Sequence, residues 1–263
     1  IIPSSNIDNM MIIKSPTAEL PGDFSGGFIK ISTKNMPDEN SLSLSVGTGI
    51  NTVTHFKDFS LLQSSSTEWL GFDRCARPLS KDFPSHLGSI TDPSQITYYT
   101  KTGFNNDWNV KTFRPLPDLK LNLTWNRKIG DKVGTILTFG YSNANKTIPD
   151  MQNTRYGIYS ATADVPTIEK NYIDNQFTNE VKINAMNNWS FILDSRNRFE
   201  FRNLFSQIGK NRFTERYGTS TVSGEYYENQ TEMLYSSRLS YVGQLAGLHT
   251  LDEDMTQTLN WIV

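Results

Sequence analysis

The sequence predicts an all-β fold of antiparallel strands, of the kind that forms a transmembrane β-barrel. Three observations predict it: apolar and polar residues alternate over long segments, one segment is too long for an ordinary soluble strand, and the connections differ in length. Alternation with a period of two is typical of a strand whose two faces meet different surroundings. Barrel strands have this period, with apolar residues toward lipid and polar residues toward the lumen.

The clearest alternating segment covers residues 119–127, and a turn at 129–132 leads into a second such segment. The apolar positions of the two segments are Leu119, Leu121, Leu123, Trp125, Val133, Leu137, Phe139 and Tyr141. Nearly all of the positions between them hold polar or small residues. The pattern therefore predicts a β-hairpin with one apolar face and one polar face.

Strand length and connection length favour a barrel that crosses a membrane. Alternation extends over residues 226–243, whereas strands of soluble proteins are typically about 5 or 6 residues long. Short connections are predicted at 128–132, 187–197 and 244–251, and long ones at 51–117, 146–175 and 209–225. Short turns at one end and long loops at the other are typical of outer-membrane barrels, so we expect the long loops to be extracellular.

Composition and motifs argue against several functions. The net charge is -2, from 25 Lys and Arg against 27 Asp and Glu, so the chain offers no basic field for a nucleic acid. The three histidines His55, His86 and His249 are far apart in sequence, and neither a phosphate-binding loop nor a nucleophile elbow is present. We therefore expect no enzyme activity, no metal site and no cofactor.

Residues 16–34 read PTAELPGDFSGGFIKISTK, and this stretch resembles the end of the plug domain of TonB-dependent receptors of the Bacteroidota type. Its core signature is Pro21, Gly22, Asp23, Phe24, Ser25, Gly26 and Gly27. Paired glycines suit a sharp turn or a close backbone approach, and Asp23 or Ser25 can hydrogen-bond the amides of a turn. The stretches 69–78 and 244–249 also resemble segments of these receptors.

The resemblance implies a plugged barrel of about 22 strands in the outer membrane of a Gram-negative bacterium. Residues 1–37 would be the C-terminal end of the plug domain, and residues 38–263 the N-terminal part of the barrel, with about seven strands. The alternation still continues at Val263, so we expect a fragment of a longer protein. The implied partners are outer-membrane lipids, the TonB complex of the inner membrane and a surface lipoprotein.

The function that the resemblance implies is TonB-dependent active import of a nutrient, such as an iron chelate, cobalamin, a glycan or a peptide. A conformational change of the plug would be the gating step. Two alternatives stay open. One is a receptor-like barrel that acts as a structural or docking subunit of an outer-membrane complex. The other is a soluble all-β carbohydrate-binding module whose apolar faces pack against a second sheet.

Charged residues on the polar faces of the predicted strands are candidates for contact with the plug or for lining the substrate path. They are Arg198, Glu200, Arg202, Glu228, Glu232 and Arg238. Our hypothesis is that they hold the plug through ion pairs and hydrogen bonds. The alternative is that they only keep a water-filled lumen hydrated.

The long predicted loop at 51–117 contains aromatic residues that are candidates for ligand contact. They are Trp69, Phe72, Tyr98, Tyr99 and Trp108. Aromatic rings can stack on a sugar or on a chelate. The alternative is that these rings pack within the loop.

Overall fold

The structure, a computed structural model, describes residues 7–15, 26–34, 36–63, 65–74, 77–105, 107–252, 254 and 256–263, without the side chain of residue 89. Strands make up 64% of it, which confirms the prediction of an all-β fold. They are β1 Ile7–Ile13, β2 Phe28–Thr33, β3 Ser41–Gly49, β4 Phe59–Leu62, β5 Val110–Phe113, β6 Asp118–Ile129, β7 Val133–Ser160, β8 Val165–Ile192, β9 Asn197–Ser220, β10 Tyr226–Thr250 and β11 Thr258–Ile262. Helix α1 covers Pro93–Thr102, and short 3-10 turns cover Glu68–Leu70 and Leu87–Ser89.

The main sheet has seven antiparallel strands in the order β3, β6, β7, β8, β9, β10, β11. From β6 onward each strand pairs with the next one in sequence, so this part of the sheet is a meander of hairpins. The β6–β7 hairpin lies where the alternation predicts it, with a turn at 130–132 in which Gly130 has a φ of 61°. Two smaller pairs, β1–β2 and β4–β5, complete the architecture.

The prediction of long connections is wrong at 146–175 and at 209–225. Strands β7 and β8 are each 28 residues long and meet in a short turn at 161–164. Strand β9 continues to Ser220, and β10 begins at Tyr226. We call the end of the meander that carries the turns at 161–164 and 221–225 the outer end. Backbone pairing continues to this end, as in Ser160 with Val165. The outer halves were missed because both of their faces carry many polar residues, which removes the alternating apolar signal.

The short connections are also placed differently from the prediction. The turn predicted at 187–197 narrows to 193–196, and β10 extends to Thr250, so the next turn covers 251–257. Among the described residues, the stretch 50–117 is the one long connection between strands of the main sheet. The expected alternation of short turns and long loops is therefore wrong after β6, where both ends of the sheet carry short turns.

The two faces of the main sheet differ in chemistry, as cross-strand rows show. One row joins Ser45, Asn122, Gly140, Asn184, Ser206 and Ser240. The neighbouring row on the other face joins Leu44, Leu123, Phe139, Ala185, Phe205 and Tyr241. We call the first face the polar face and the second the apolar face.

The apolar face is bare at its edge and covered farther out. At the β3 edge, Leu42, Leu44 and Val46 are 70%, 69% and 66% exposed. On the outer half of the same face, β4 contacts β8, β9 and β10, and the 3-10 turn at Glu68–Leu70 contacts β8 and β9. We call the described residues of the stretch 50–117 the covering segment. Their core consists of Phe59 and Leu61 packed against Phe213, with Phe177 and Met233 at its margin.

The β1–β2 hairpin lies against the opposite, polar face, near the turns at 130–132 and 193–196. The amide of Asn188 on β8 donates to the hydroxyl of Thr33 at the end of β2, at 3.2 Å. Pro37 packs so closely against Gly134 that a Cβ added there would lie 2.8 Å from the proline ring. The hairpin and the covering segment therefore lie on opposite faces of the sheet.

Candidate functional site

Three of the charged residues proposed from sequence form one ion-paired cluster on the polar face. Arg198 and Arg202 flank Glu200, and the Arg198 Nε lies 3.2 Å from a carboxylate oxygen of Glu200. Glu200 is only 8% exposed, so its charge depends on these two partners. Arg198 also donates to the hydroxyl of Ser190 on the neighbouring strand, at 3.3 Å. The three side chains therefore form ion pairs with one another on the polar face.

This cluster lies beside the β1–β2 hairpin. A small cavity of about 180 Å³ separates the hairpin from the main sheet. Its lining includes Ile31 and Thr33 from β2 and Asn188, Arg202 and Gln244 from the sheet. The hydrogen bond that the structure gives between the two runs from Asn188 to Thr33. Arg202 thus lines the space next to the hairpin, and the neutral side-chain amide of Asn188 makes that direct bond. The hypothesis that the charges hold the plug stays a prediction.

The remaining charged candidates lie elsewhere on the same face. Glu232 pairs with Arg212 at 2.9 Å, and Glu228 accepts a hydrogen bond from the hydroxyl of Tyr172. On β9, the residue opposite Glu228 is Gly218, which at about 3.3 Å per residue is roughly 50 Å along the strand from Arg202. Arg238 lies between the two groups and is exposed. The six candidates therefore do not form one site.

Sequence reasoning missed the best-formed ion pair of the polar face. Arg216 donates to both carboxylate oxygens of Asp174, with Nε–Oδ1 and Nη2–Oδ2 distances of 2.7 Å. Asp174 is 1% exposed and also accepts from the amide of Asn153 at 3.1 Å. The pair was missed because residues 146–175 were assigned to a loop. The alternation of Tyr172, Asp174 and Gln176 on one face was the available signal.

The five loop aromatics are spread over different surroundings rather than gathered in one binding surface. Trp69 and Trp108 are 59% and 68% exposed. Tyr98 and Tyr99 lie on helix α1, where Tyr99 meets the ring of Phe83 edge to face, with ring centres 6.1 Å apart. The remaining aromatic, Phe72, lines a cavity of about 450 Å³ with Leu70 and Ser237.

The covering segment is held on the sheet at Gly71, which lies directly over β9. The side chain of Gln207 donates to the Gly71 carbonyl and to the Ser237 hydroxyl, and that hydroxyl lies 3.1 Å from the same carbonyl. A Cβ added to Gly209 would lie 2.5 Å from the Cα of Gly71. The contact therefore requires a glycine on the strand, and we call it the glycine contact.

Charged residues reinforce the glycine contact. Arg77 pairs with Glu68 at 3.0 Å and with Asp73 at 3.2 Å, and its guanidinium lies 4.6 Å from the ring centre of Tyr235 on β10. Glu68 also accepts from the amide of Asn211 on β9, at 3.2 Å. The covering segment is thus joined to the sheet by hydrogen bonds and ring contact as well as by its apolar core.

Two carboxylates outside the strands have lowered pKa values because they accept local hydrogen bonds. In the turn after β8, the side-chain amide of Asn197 and the backbone N–H of Arg196 hold the pKa of Asp194 below its usual range. At the start of helix α1, the backbone N–H of Ser94 does the same to the pKa of Asp92, which caps the helix. Asp194 stabilises the turn between β8 and β9, and Asp92 stabilises the start of helix α1.

Replacing Glu200 by Gln tests whether the ion-paired cluster stabilises the main sheet. We expect a loss of about 1–3 kcal/mol of unfolding free energy, because the two guanidinium groups lose their charged acceptor. Chemical denaturation of the purified protein in detergent measures it. Glu215→Gln is the matched control, since Glu215 is on the same strand but exposed on the opposite face. Equal losses in the two variants would show that the cluster has no special role.

The described residues contain neither a metal-binding group nor a membrane-spanning helix. The described residues contain no group of three or more His, Cys, Asp or Glu side chains that could hold a metal ion. Likewise, no helix within them is long and apolar enough to cross a membrane. Comparison with known proteins found no matching family model, no matching curated protein and no matching solved structure.

Proposed function

We propose that this chain belongs to a plugged outer-membrane barrel of the TonB-dependent receptor class, which imports a nutrient into the periplasm. The observation that carries the proposal is the placement of the β1–β2 hairpin on the polar face, while the edge of the opposite face is apolar and bare. In a plugged barrel the lumen face is polar and meets the plug, and the outer face meets lipid. The contrast between the two faces and the position of the hairpin support this assignment.

The length of the strands on the uncovered part of the apolar face supports a membrane position. Strand β6 has 12 residues, and a barrel strand needs about 9–11 tilted residues to cross the hydrocarbon core. The long strands β7 and β8 extend about 90 Å at 3.3 Å per residue, so their outer halves would stand above the membrane. The covering segment packs on those outer halves.

Aromatic residues mark the turn end of the apolar face. Trp189 stacks on Phe191 with ring centres 6.1 Å apart, and Phe199 meets Trp261 edge to face at the same separation. These rings come from β8, β9 and β11 and lie beside the turns at 193–196 and 251–257. Aromatic girdles at this height are typical of outer-membrane barrels. Because the longer extensions of such barrels are extracellular and the covering segment lies at the other end of the strands, this end of the sheet would face the periplasm.

The polar face would form one wall of the import path. Glu200 is paired with Arg198 and Asp174 with Arg216, at two different positions along the strands. These charge-assisted contacts would hold the side chains of the polar face in place in a water-filled lumen. The plug would be held at its edge by the bond between Thr33 and Asn188. Force from the TonB complex would break contacts of this kind when it moves the hairpin away from the polar face. Removal of the hairpin would open the path.

One observation favours the soluble carbohydrate-binding alternative. The covering segment packs on the apolar face as a second layer would, with Phe59 5.5 Å from both Phe113 and Phe177. It leaves Leu42, Leu44 and Val46 largely exposed, however. A soluble module would need to cover this edge as well, because an apolar patch of this kind is unfavourable in water. The bare edge therefore favours the membrane.

Membrane fractionation of the full-length gene product, followed by electrophoresis with and without boiling, tests the proposal. We expect a protein that needs detergent for extraction and whose band shifts on boiling, because a closed barrel resists unfolding by detergent. A set of soluble β-rich proteins expressed in parallel gives the unshifted control. A protein that stays soluble without detergent and shows no shift would overturn the proposal.

A further inference from the structure

A band of positive charge crosses the polar face of the main sheet at the height where β6 begins. Three neighbouring cross-strand rows of this face form it, and we call them the cationic band. Their cationic side chains come from β6, β7, β8, β9 and β10 and are Lys120, Lys146, Lys182, Lys210, Arg212 and Arg238. The carboxylates at the same height are Asp118 and Glu180. Positive charge is therefore in excess here.

The neighbouring rows of the polar face do not share this excess. The two rows directly inward, which contain Asn122 and Thr124, carry no charged side chain on the described strands. In the rows directly outward, Glu232 and Asp174 are each paired with an arginine. The excess is therefore confined to the band, at the outer end of β6, where the mouth of the proposed barrel would be.

Most cations of the band are available to a ligand. Lys182 is paired with Glu180, and Arg212 with Glu232. For the other four cations, the structure shows no carboxylate partner among the described residues. They are Lys120, Lys146, Lys210 and Arg238. All of them are exposed except Lys210, which is half-buried.

The other described segments contact the sheet at places away from the band. The β1–β2 hairpin meets the polar face where Thr33 bonds Asn188. Asn188 is six residues along β8 from Lys182, which is about 20 Å at 3.3 Å per residue. The apolar core of the covering segment lies on the opposite face. The cations without a partner would therefore face the lumen of the proposed barrel.

The dimensions of the band indicate the size of its ligand. Lys120 and Arg238 lie in one row but on strands four positions apart in the sheet, which is about 19 Å at 4.8 Å per strand. The three rows extend over about 13 Å along the strands. A single phosphate or carboxylate reaches only one or two of these cations. The band therefore fits a ligand with several anionic groups spaced along its length.

We propose that the imported nutrient is a polyanion, and that the cationic band attracts it to the mouth of the barrel. A cleft lined by charges of one sign concentrates ligands of the opposite sign and accelerates their association. Rings of Lys and Arg select anions in pores for the same reason. The inference rests on the proposed import function, because the band has a ligand to select only if the polar face lines an import path.

Equilibrium binding to the full-length protein, purified in detergent, tests the inference with two pairs of probes. One pair is hexagalacturonate and its full methyl ester, and the other is hexaglutamate and hexaglutamine. Within each pair the backbone is the same and only the charge differs. We expect an acidic probe to bind saturably and about tenfold or more tightly than its neutral counterpart. Salt at about 0.5 M should weaken this binding severalfold, because it screens exposed charges.

The acidic probe that binds more tightly distinguishes an acidic glycan from an acidic peptide as the source of the charge. If neither acid binds, or if each neutral probe binds as tightly as its acid, the inference is wrong.

A triple variant locates the binding on the band. Lys120→Gln/Lys146→Gln/Arg238→Gln removes three exposed cations, and we expect the affinity for the acidic probe to fall about tenfold or more, since three ion pairs are lost. Lys57→Gln/Lys81→Gln/Lys111→Gln is the matched control, because it removes the same charge from exposed positions of the covering segment. The control should bind as the unchanged protein does. Equal losses in the two variants would contradict a role of the band.

The same variant separates the inference from a structural role of the cations. If they held the plug instead, the triple variant would lower the temperature at which the band shifts on the gel and would leave probe binding unchanged. That result would overturn the inference.

Failure of the inference can also be told from failure of the proposed function. A protein that requires detergent and shifts on boiling, but does not prefer the acidic probes, would retain the membrane proposal and lose only the polyanion. A protein that is soluble without detergent and shows no shift would lose both.

Discussion

An arginine in place of Leu44 is expected to remove the protein from the outer membrane. Leu44 lies in the middle of β3 on the apolar face, in the row with Leu123 and Phe139. A cationic side chain on the lipid face costs about 2–4 kcal/mol at the bilayer midplane, which is roughly thirtyfold to a thousandfold in the folding equilibrium. The fraction of heat-shifted protein in isolated outer membranes measures the effect. We expect this fraction to fall close to zero.

Ser43→Arg is the matched control, because the two positions are adjacent but face opposite sides of the sheet. Ser43 lies in the polar row with Thr124 and Thr138, where an arginine would meet water or the plug region. We expect Ser43→Arg to be inserted at nearly the level of the unchanged protein. In a soluble protein the order would be reversed or absent, since Leu44 is 69% exposed and an arginine there would only improve solubility. Equal insertion of the two variants contradicts the membrane position.

The inner part of the sheet was predictable because each strand there has one apolar and one polar face. In the β6–β7 hairpin, the predicted turn at 129–132 and the observed turn at 130–132 differ by one residue. The periodic signal depends on this contrast between faces. Where β7 continues through Asn143, Asn145 and Thr147, both faces are polar and the contrast is lost. Backbone hydrogen bonds, which do not depend on side-chain polarity, continue the strand there.

The candidate site was predictable only where the charged residues share one strand face. Arg198, Glu200 and Arg202 follow one another at alternate positions, so their contact follows from the strand itself. The pairing of Asp174 with Arg216 depends on the register between β8 and β9, which the sequence does not display. Of the plug signature, Gly26 and Gly27 are described, whereas residues 21–25 lie outside the described residues.

The fold of residues 50–117 was the least predictable part of the chain. A long connection was expected there, and it is present, but nothing local shows that it returns to the apolar face. Its position depends on Phe59 meeting Phe177 and Phe213, which are more than 100 residues away in sequence. Contacts of this separation are set by the whole sheet rather than by the pattern of the segment.

Substitution of Gly209 by alanine is expected to release the covering segment from the sheet while leaving the strands intact. The new Cβ would lie 2.5 Å from the Cα of Gly71, 2.7 Å from its oxygen and 2.8 Å from its carbonyl carbon. These are backbone atoms, so the segment itself has to move, and overpacking of this kind costs about 1–3 kcal/mol. The bonds from Gln207 and Ser237 to the Gly71 carbonyl would be lost with the movement.

Limited trypsin digestion of the detergent-purified protein, followed by mass spectrometry, measures the release. Cleavage after Arg77 and Lys81 should become about tenfold faster, because proteolysis follows the population of the locally open state. Gly243→Ala is the matched control. Gly243 lies on β10 and on the same face of the sheet as Gly209, and the atoms nearest to its added Cβ would all belong to the flexible side chain of Tyr241, at 3.2 Å or more. Both variants should keep the heat shift expected of the proposed barrel, since a single methyl group adds no charge to the apolar face. Equal cleavage rates would show that the glycine contact does not hold the segment, and the core around Phe59 would then be sufficient to keep it in place.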